Sequence, residues 1–299
     1  MSKIIDCLKL LQEPKSQATL SAALAITQFE VLELIGKINQ IEPNLINATS
    51  SSSIKLTRNL DWLNPQEIRE GLAQLGHTEY TVKILGETLS TNTHIANNLV
   101  SLANKAAVIA EYQSKGRGRQ DRQWQSKVAT DLTVSVLYLF PPQFKFELLP
   151  LISAIAVNRL LKQFHLLTKI KWPNDVYTLD GTKIVGILVE SGIRNEQRFV
   201  IVGIGLDNII AVKRSELVCH LLNHLDQVIR EYSLFGFTLL RQEWLDNCIH
   251  YNRKVEIYQN HKLIDSGINS DLTDTGQLIV KSANGVKQYI SSNISLKWY

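Results

Sequence analysis

The sequence predicts an α+β fold in three parts: a small helical N-terminal unit, a central mixed sheet with helices, and a closing set of short strands. Three observations predict it. In residues 1–62, apolar side chains recur at helical spacing, as in Ile4, Leu8 and Leu11. Residues 80–253 interleave helical stretches with continuous apolar runs such as Ile184–Val189, the mark of strands buried in a sheet. Residues 254–299 are short strand-like runs broken by turn signals, the strongest being Asn284-Gly285. Residues 63–79 read as a linker between the first two parts.

Taken in order, Lys3–Leu11 is a first helix, and Thr19–Ala25 and Gln28–Ile41 are two more, separated by a break at Ile26-Thr27. This is the outline of a helix-turn-helix, whose second helix would enter a major groove. The polar run from Asn47 to Ser53, followed by Ile54–Arg58, reads either as a hairpin wing or as a flexible link. Glu30 and Glu33 lie near the start of the candidate recognition helix, with no basic residue before Lys37. Phosphate contacts need basic side chains, so these charges argue against strong DNA binding.

In the central part, Ser90 or Thr91 is suited to cap a helix over Thr93–Lys105. Val108–Glu111, Leu132–Leu139, Ile170–Trp172, Ile184–Glu190 and Phe199–Ile204 read as strands. Helices are expected over 147–164 and near 237–250, all packing on one side of the sheet. In the last part, Lys254–Gln259 and Leu278–Lys281 are strands, with turns at Gly267, Asp274–Gly276 and Asn284-Gly285.

Composition bounds the function. Hydrophobic residues make up 44% and charged residues 20% of 299, enough apolar material for a full core. No apolar run approaches the roughly 20 residues of a membrane span, and no export signal is evident, so a cytoplasmic protein with no membrane partner is expected. Cys7, Cys219 and Cys248 are scattered and read as free thiols. The net charge of +4 permits an acidic or nucleic-acid partner without requiring one. His220 and His224 have the spacing of a metal pair but no third ligand nearby, so a surface helix is the better reading and no metal site is assigned.

The chemistry-bearing signals cluster. Between Gln113 and Trp124, Lys115, Arg117, Arg119 and Arg122 alternate with Gly116 and Gly118. Arginine forks suit phosphate and carboxylate oxygens, and glycines let backbone approach a ligand. A mobile cationic loop between strands fits an anion that is gripped and later released. Next comes Lys171-Trp-Pro-Asn-Asp175, in which Pro173 ends a strand and Asn174 and Asp175 are turn formers. Lys183 opens a buried strand running to Glu190, with Gly186 inside it. Another strand ends in Gly203-Ile-Gly205, followed by Asp207 and Asn208.

These motifs resemble the biotin protein ligases, specifically the bacterial type that is both ligase and biotin-operon repressor. The basic loop corresponds to 116–124, the KWPND box to 171–175, the KxxGILVE strand to 183–190, the serine-threonine-asparagine site to Ser90, Thr91 and Asn92, and the glycine pair to Gly203 and Gly205. The sequence departs from the pattern at Asp121, where the family has a third loop glycine, and at Asp207, where it has asparagine. The resemblance implies a winged helix-turn-helix-like domain, a class II synthetase-like catalytic domain and an SH3-like C-terminal barrel. It implies activation of biotin by ATP with Mg²⁺ to biotinyl-5′-AMP, then transfer to a lysine of the biotin carboxyl carrier protein. Operator DNA and a homodimer are further implied partners.

Residue by residue, Arg119 and Lys183 would be catalytic. Biotin would be held by Ser90, Thr91, Asn92, Gln113, Gly116, Arg117, Gly118, Arg119, Lys183, Gly186, Gly203 and Gly205. The nucleotide would meet Arg117, Arg119, Arg122, Trp124, Asn174, Asp175, Asp207 and Asn208. The nearest alternative is a lipoate or octanoate ligase, whose doubled arginine and glycine triplet are absent here. A DNA-binding biotin sensor without ligase activity is the other, against which the complete set of Arg117, Arg119 and Lys183 argues. No P-loop motif occurs, and Gly203-x-Gly205 lacks the third glycine of a dinucleotide site.

Overall fold

The computed structural model describes residues 3–120, 122–194, 197–291 and 294–299; Asp121 therefore lies outside the described residues. The N-terminal unit comprises α1 (Lys3–Leu10), α2 (Gln17–Leu24), α3 (Gln28–Ile41) and a ribbon of β1 (Ile46–Asn47) and β2 (Lys55–Leu56). Ser16 caps α2 by accepting from the Thr19 amide, and Ala25 closes it in the left-handed region at φ 50°. Thr27 and Glu30 form a reciprocal capping box on α3. The two helices meet at 94°. Ile5, Leu8, Leu20, Val31, Ile35 and Ile38 are buried between the helices. Of the two readings of residues 47–58, the ribbon is the one realised.

The expected linker is not a plain connection. It contains α4 (Pro65–Gln74), whose N-terminal amides are capped by Asn64 and whose first position is Pro65. Ile68 and Leu72 are buried in the main core. Asn64-Pro65 and the pair Ile68/Leu72, four apart, were the local signals for this helix.

The central unit then runs β3 (Thr81–Thr88), α5 (Thr91–Asn97), β4 (Ala106–Gln113), the short strands β5 (Gly116–Arg117) and β6 (Gln123–Trp124), β7 (Leu132–Phe140), α6 (Leu149–Gln163), β8 (Thr168–Lys171), β9 (Asp175–Thr178), β10 (Lys183–Arg194), β11 (Gln197–Leu206), α7 (Arg214–Phe235) and α8 (Thr238–Asp246). Seven strands form one sheet in the order β3-β4-β7-β11-β10-β9-β8, with β3 and β4 parallel and the other neighbours antiparallel. α5 is shorter than expected. It ends at Asn98, which donates to the His94 carbonyl, and residues 99–101 continue as a 3₁₀ turn.

The two faces of the sheet differ because strand side chains alternate. Ala107 and Ile109 of β4, Val134 and Val136 of β7, Val185 and Ile187 of β10, and Val202 and Ile204 of β11 face the large core with α4, α6, α7 and α8. The opposite face carries Ser135, Gly186, Gly203 and Gly205 and is covered in part by α5 through Ile95. The helices are thus not all on one side. α5 lies apart, and a shallow floor of glycines opens beside it.

The C-terminal part is a five-stranded antiparallel sheet of β12 (Lys254–Gln259), β13 (Lys262–Leu272), β14 (Leu278–Ser282), β15 (Gly285–Tyr289) and β16 (Ile294–Trp298), in the order β15-β14-β13-β12-β16. Gly285 makes the predicted hairpin turn at φ +99°. Gly267 is not a turn: it pairs with Val255 inside β13, where a Cβ would collide with the Lys281 carbonyl. Val255, Ile257, Leu278 and Val280 share the main core with the central sheet.

Candidate active site

One pocket on the glycine face gathers the predicted residues. Ser90, Thr91, Asn92, Gln113, Arg117, Gly118, Arg119, Arg122, Trp124, Asn174, Asp175, Lys183, Gly186, Gly203 and Gly205 all line it. Gly116 lies just behind, where a Cβ would collide with the Trp124 carbonyl. Asp207 and Asn208 do not line the pocket. They follow the end of β11, where the Asn208 amide donates to Asp131 Oδ1 at 3.2 Å. Burial and the neighbouring Asp131 push the Asp207 carboxyl up to about 6.

The first wall is the start of α5. Ser90 caps the helix, and Gln113, beside Thr88 in the β3–β4 pairing, accepts from the Thr91 amide at 2.7 Å and hydroxyl at 3.0 Å. Ser135 donates to Asn92 Oδ1 at 2.5 Å. Asn92 Nδ2 donates to Glu190 at 2.8 Å, and Glu190 accepts from Arg117 Nη2 at 2.7 and 2.8 Å. A continuous polar chain therefore ties α5 to the basic segment. Asn92 rests on Gly203, where any Cβ would collide with its Oδ1.

The described residues of the basic segment form a short two-stranded ribbon. β5 pairs with β6, and the Gly118 amide donates to the Arg122 carbonyl at 2.7 Å. The Trp124 indole lies against β10 and β11: a Cβ at Gly186 would come within 3.0 Å of it, and one at Gly205 would overlap it. Its Nε1 is buried with no partner among the described residues. The glycine floor, expected to be open to a ligand, is thus occupied by Asn92 and Trp124. Two of the cations are paired, Arg117 with Glu190 and Lys183 with Asp175 at 2.8 Å.

The third wall is the 171–175 turn. Asn174 donates to the Ile187 carbonyl and accepts from Arg119 Nη1 at 3.3 Å, while Arg119 Nη2 reaches the Ser291 carbonyl. Burial, then Arg122, holds the Arg119 guanidinium below its ordinary range, and burial with Lys183 and Arg122 does the same to Lys171. Such crowding of cations beside buried donors favours an entering anion. Glu190, Ser135 and the β16 residues Ile294–Leu296 escaped the sequence reading as site residues. The last come from more than 100 positions away, and nothing local in the sequence signals them.

Two other clusters are accounted for without a metal. His77, Glu79 and Asp226 converge, but Lys105 Nζ sits 2.5 Å from both carboxylates. His220 and His224 lie on α7 and share Gln163 of α6 at 3.1 and 2.8 Å.

Residues 85–207 match the family model described as the Biotin/lipoate A/B protein ligase family, the stretch that builds the glycine floor, the ribbon and the turn. Over that stretch the chain resembles a biotin/lipoate protein ligase domain. Around that domain, the chain is 27% identical over 306 residues to the bifunctional ligase/repressor BirA of Bacillus subtilis, covering 93% of this chain and 92% of that one. It is 31% identical over 153 residues to the biotin–[acetyl-CoA-carboxylase] ligase of Mycobacterium tuberculosis, covering 48% of this chain and 56% of that one. In fold, it is similar to the biotin protein ligase of Aquifex aeolicus, described in complex with biotin and ATP. The TM-score is 0.62 at 23% identity, covering 73% of this chain and 99% of that one. The ligase domain therefore has the mixed α+β fold expected of it.

Proposed function

We propose that this chain is an ATP-dependent biotin protein ligase. The observation that carries the reading is the convergence, in one pocket inside the ligase domain, of Lys183, Arg119 and Arg117 with the hydrogen-bonding groups of residues 90–92 and Gln113. A biotin carboxylate oxygen attacks the α-phosphorus of ATP, the bond to pyrophosphate breaks, and biotinyl-5′-AMP forms. A lysine amine of the biotin carboxyl carrier protein then attacks the acyl carbon and AMP leaves.

Both reactants of the first step are anions, so positive charge fixed at the meeting point is the main requirement. Lys183 bridges carboxylate and phosphate once the ligand displaces its Asp175 contact. Arg117 likewise exchanges Glu190 for the ligand, and Arg119, anchored by Asn174 and the C-terminal sheet, covers the adenylate. Thr91, Asn92 and Gln113 offer the paired donors and acceptors that a ureido ring needs. For these groups to reach biotin over the glycines, Trp124 must shift, and its unpartnered Nε1 makes its present seat easy to leave. Mg²⁺, carried largely by the ATP phosphates, would meet Asp175, the one carboxylate lining the pocket among the described residues.

The choice between biotin and lipoate is tested by ATP–pyrophosphate exchange with each acid in turn. Exchange with biotin and none with lipoate is expected; the reverse would give the pocket to the longer acyl chain.

We read the N-terminal unit as a winged helix-turn-helix and the C-terminal sheet as an SH3-like barrel, and we propose a cytoplasmic homodimer. For the repressor half, α3 exposes Phe29, Leu32, Glu30 and Glu33, and Arg58 is paired with Glu42. The start of α3, acidic and without a cation before the exposed Lys37, predicts weak operator binding. A gel shift of the full chain with biotin and ATP on its own promoter checks this; a tight, sequence-selective shift at physiological salt contradicts it.

A further inference from the structure

His250 lies outside every motif discussed so far, is fully buried, and touches the 171–175 turn. Residues 247–250 run beside β8 as a parallel rung pair: the Ile170 amide donates to the Asn247 carbonyl at 2.7 Å and the Ile249 amide to the Ile170 carbonyl at 2.9 Å. An evenly spaced parallel ladder would next send the Trp172 amide to the Ile249 carbonyl. It goes instead to His250 Nε2, at 3.0 Å. The next residue, Pro173, has no amide hydrogen, so this bond is the last backbone tether of β8 before the turn.

We propose that His250 is a positioning residue for the nucleotide side of the pocket, its Nε2 standing in for the missing rung and fixing the turn that presents Asn174 and Asp175. The proposal rests on the ligase reading. The ring is suited to the task because burial, reinforced by Lys171, pushes its pKa down to about 3, leaving it neutral. An imidazole that accepts at Nε2 carries its proton on Nδ1. That nitrogen can donate to Cys248 Sγ at 3.4 Å. Asn269 Nδ2, itself a donor, is placed 2.9 Å from it, while Asn269 Oδ1 is buried without a partner among the described residues. The carboxamide must therefore be turned over for Oδ1 to accept from Nδ1–H. Trp172 is pinned a second time through its own Nε1, which donates to the Gly276 carbonyl at 3.0 Å. From this tether the geometry runs through Asn174 to Arg119.

The test uses the full chain with three substitutions. His250→Gln keeps an acceptor long enough to reach the Trp172 amide. His250→Asn keeps only the Nδ1 side, and His250→Leu removes both. The readouts are KM for ATP in biotin-dependent pyrophosphate exchange, the Kd of biotin without ATP, and hydrogen exchange of the Trp172 amide in the free protein. Loss of the acceptor leaves a buried amide unpaired, so His250→Asn and His250→Leu should raise the ATP KM about ten-fold. Biotin affinity should move by less than about two-fold, the Trp172 amide should lose protection, and His250→Gln should restore all three. An unmoved KM in His250→Asn, a parallel loss of biotin and ATP binding, or no recovery in His250→Gln overturns the proposal. If His250→Leu does not fold, the Asn and Gln pair decides. Absence of exchange by the unaltered chain refutes the ligase reading and the nucleotide role together; normal exchange with an unmoved KM refutes the role of His250 alone.

Discussion

Asp207 shows how one side chain can be close to a site in sequence and outside it in space. It follows the Gly203-Ile-Gly205 pair by two residues, yet its carboxyl sits near Asp131 rather than in the pocket. Its pKa is raised from 3.8 to about 6, chiefly by burial, so the fold prefers it protonated. A raised carboxyl pKa means stability is full below the unfolded value and declines as pH rises through the folded one. Asp207→Asn should therefore raise Tm at pH 7.5 and leave it nearly unchanged at pH 4. Thermal scans at the two pH values check this, and equal shifts at both would contradict it. Residue types at the site were legible because glycine and arginine in KGRGR carry their chemistry locally. Their partners were not: Glu190 looks like the end of a strand until Arg117 and Asn92 are seen on either side of it.

At the scale of elements, α4 separates the structure from the sequence reading most clearly. Buried strands announce themselves as apolar runs, and each of the five predicted central strands is present within a few residues. β3 and β9 were missed, the first because its burial is only partial and the second because Asn174-Asp175 reads as a turn. A short helix flanked by polar residues, such as 65–74, looks like a connector until its two apolar side chains find a core. Leu72→Ala should cost about 2–5 kcal/mol, measured by denaturant unfolding, because Leu72 is buried against the main cluster. A loss below about 0.5 kcal/mol is what an exposed linker residue would give. The 113–124 ribbon teaches the converse. Its glycines suggested an open loop, but Gly116 sits where strand pairing leaves no room for a Cβ, and Trp124 and Arg119 make tertiary contacts.

For the molecule as a whole, the N-terminal unit and the central unit are joined through buried polar contacts. Arg214, with no exposed surface, pairs with Glu111 at 2.5 Å and donates to the Asp61 carbonyl at 2.8 Å, while the Leu63 amide donates to Glu111 at 3.0 Å. Val128 and Ala129, just after the ribbon, are buried in the N-terminal core, and the Val128 amide donates to Glu42. The chain that leaves the basic ribbon is thus seated in the neighbouring unit. Removing one partner of a buried ion pair strands the other charge, so Arg214→Met should cost about 3–5 kcal/mol. Paired loss of Arg214 and Glu111 should cost less than the two single losses added together, as a double-mutant cycle of unfolding free energies would read. Strict additivity would contradict the coupling.

Cations gathered over a glycine floor are proposed to bring two anions together and so activate a carboxylate. Mass spectrometry of a biotin carboxyl carrier domain, after incubation with the full chain, biotin, ATP and Mg²⁺, tests it most directly. The carrier is expected to gain the mass of one biotinoyl group on a lysine, and Lys183→Ala to slow the gain by about 100-fold or more. A carrier left unmodified by the unaltered chain, or modified equally fast by Lys183→Ala, would contradict it.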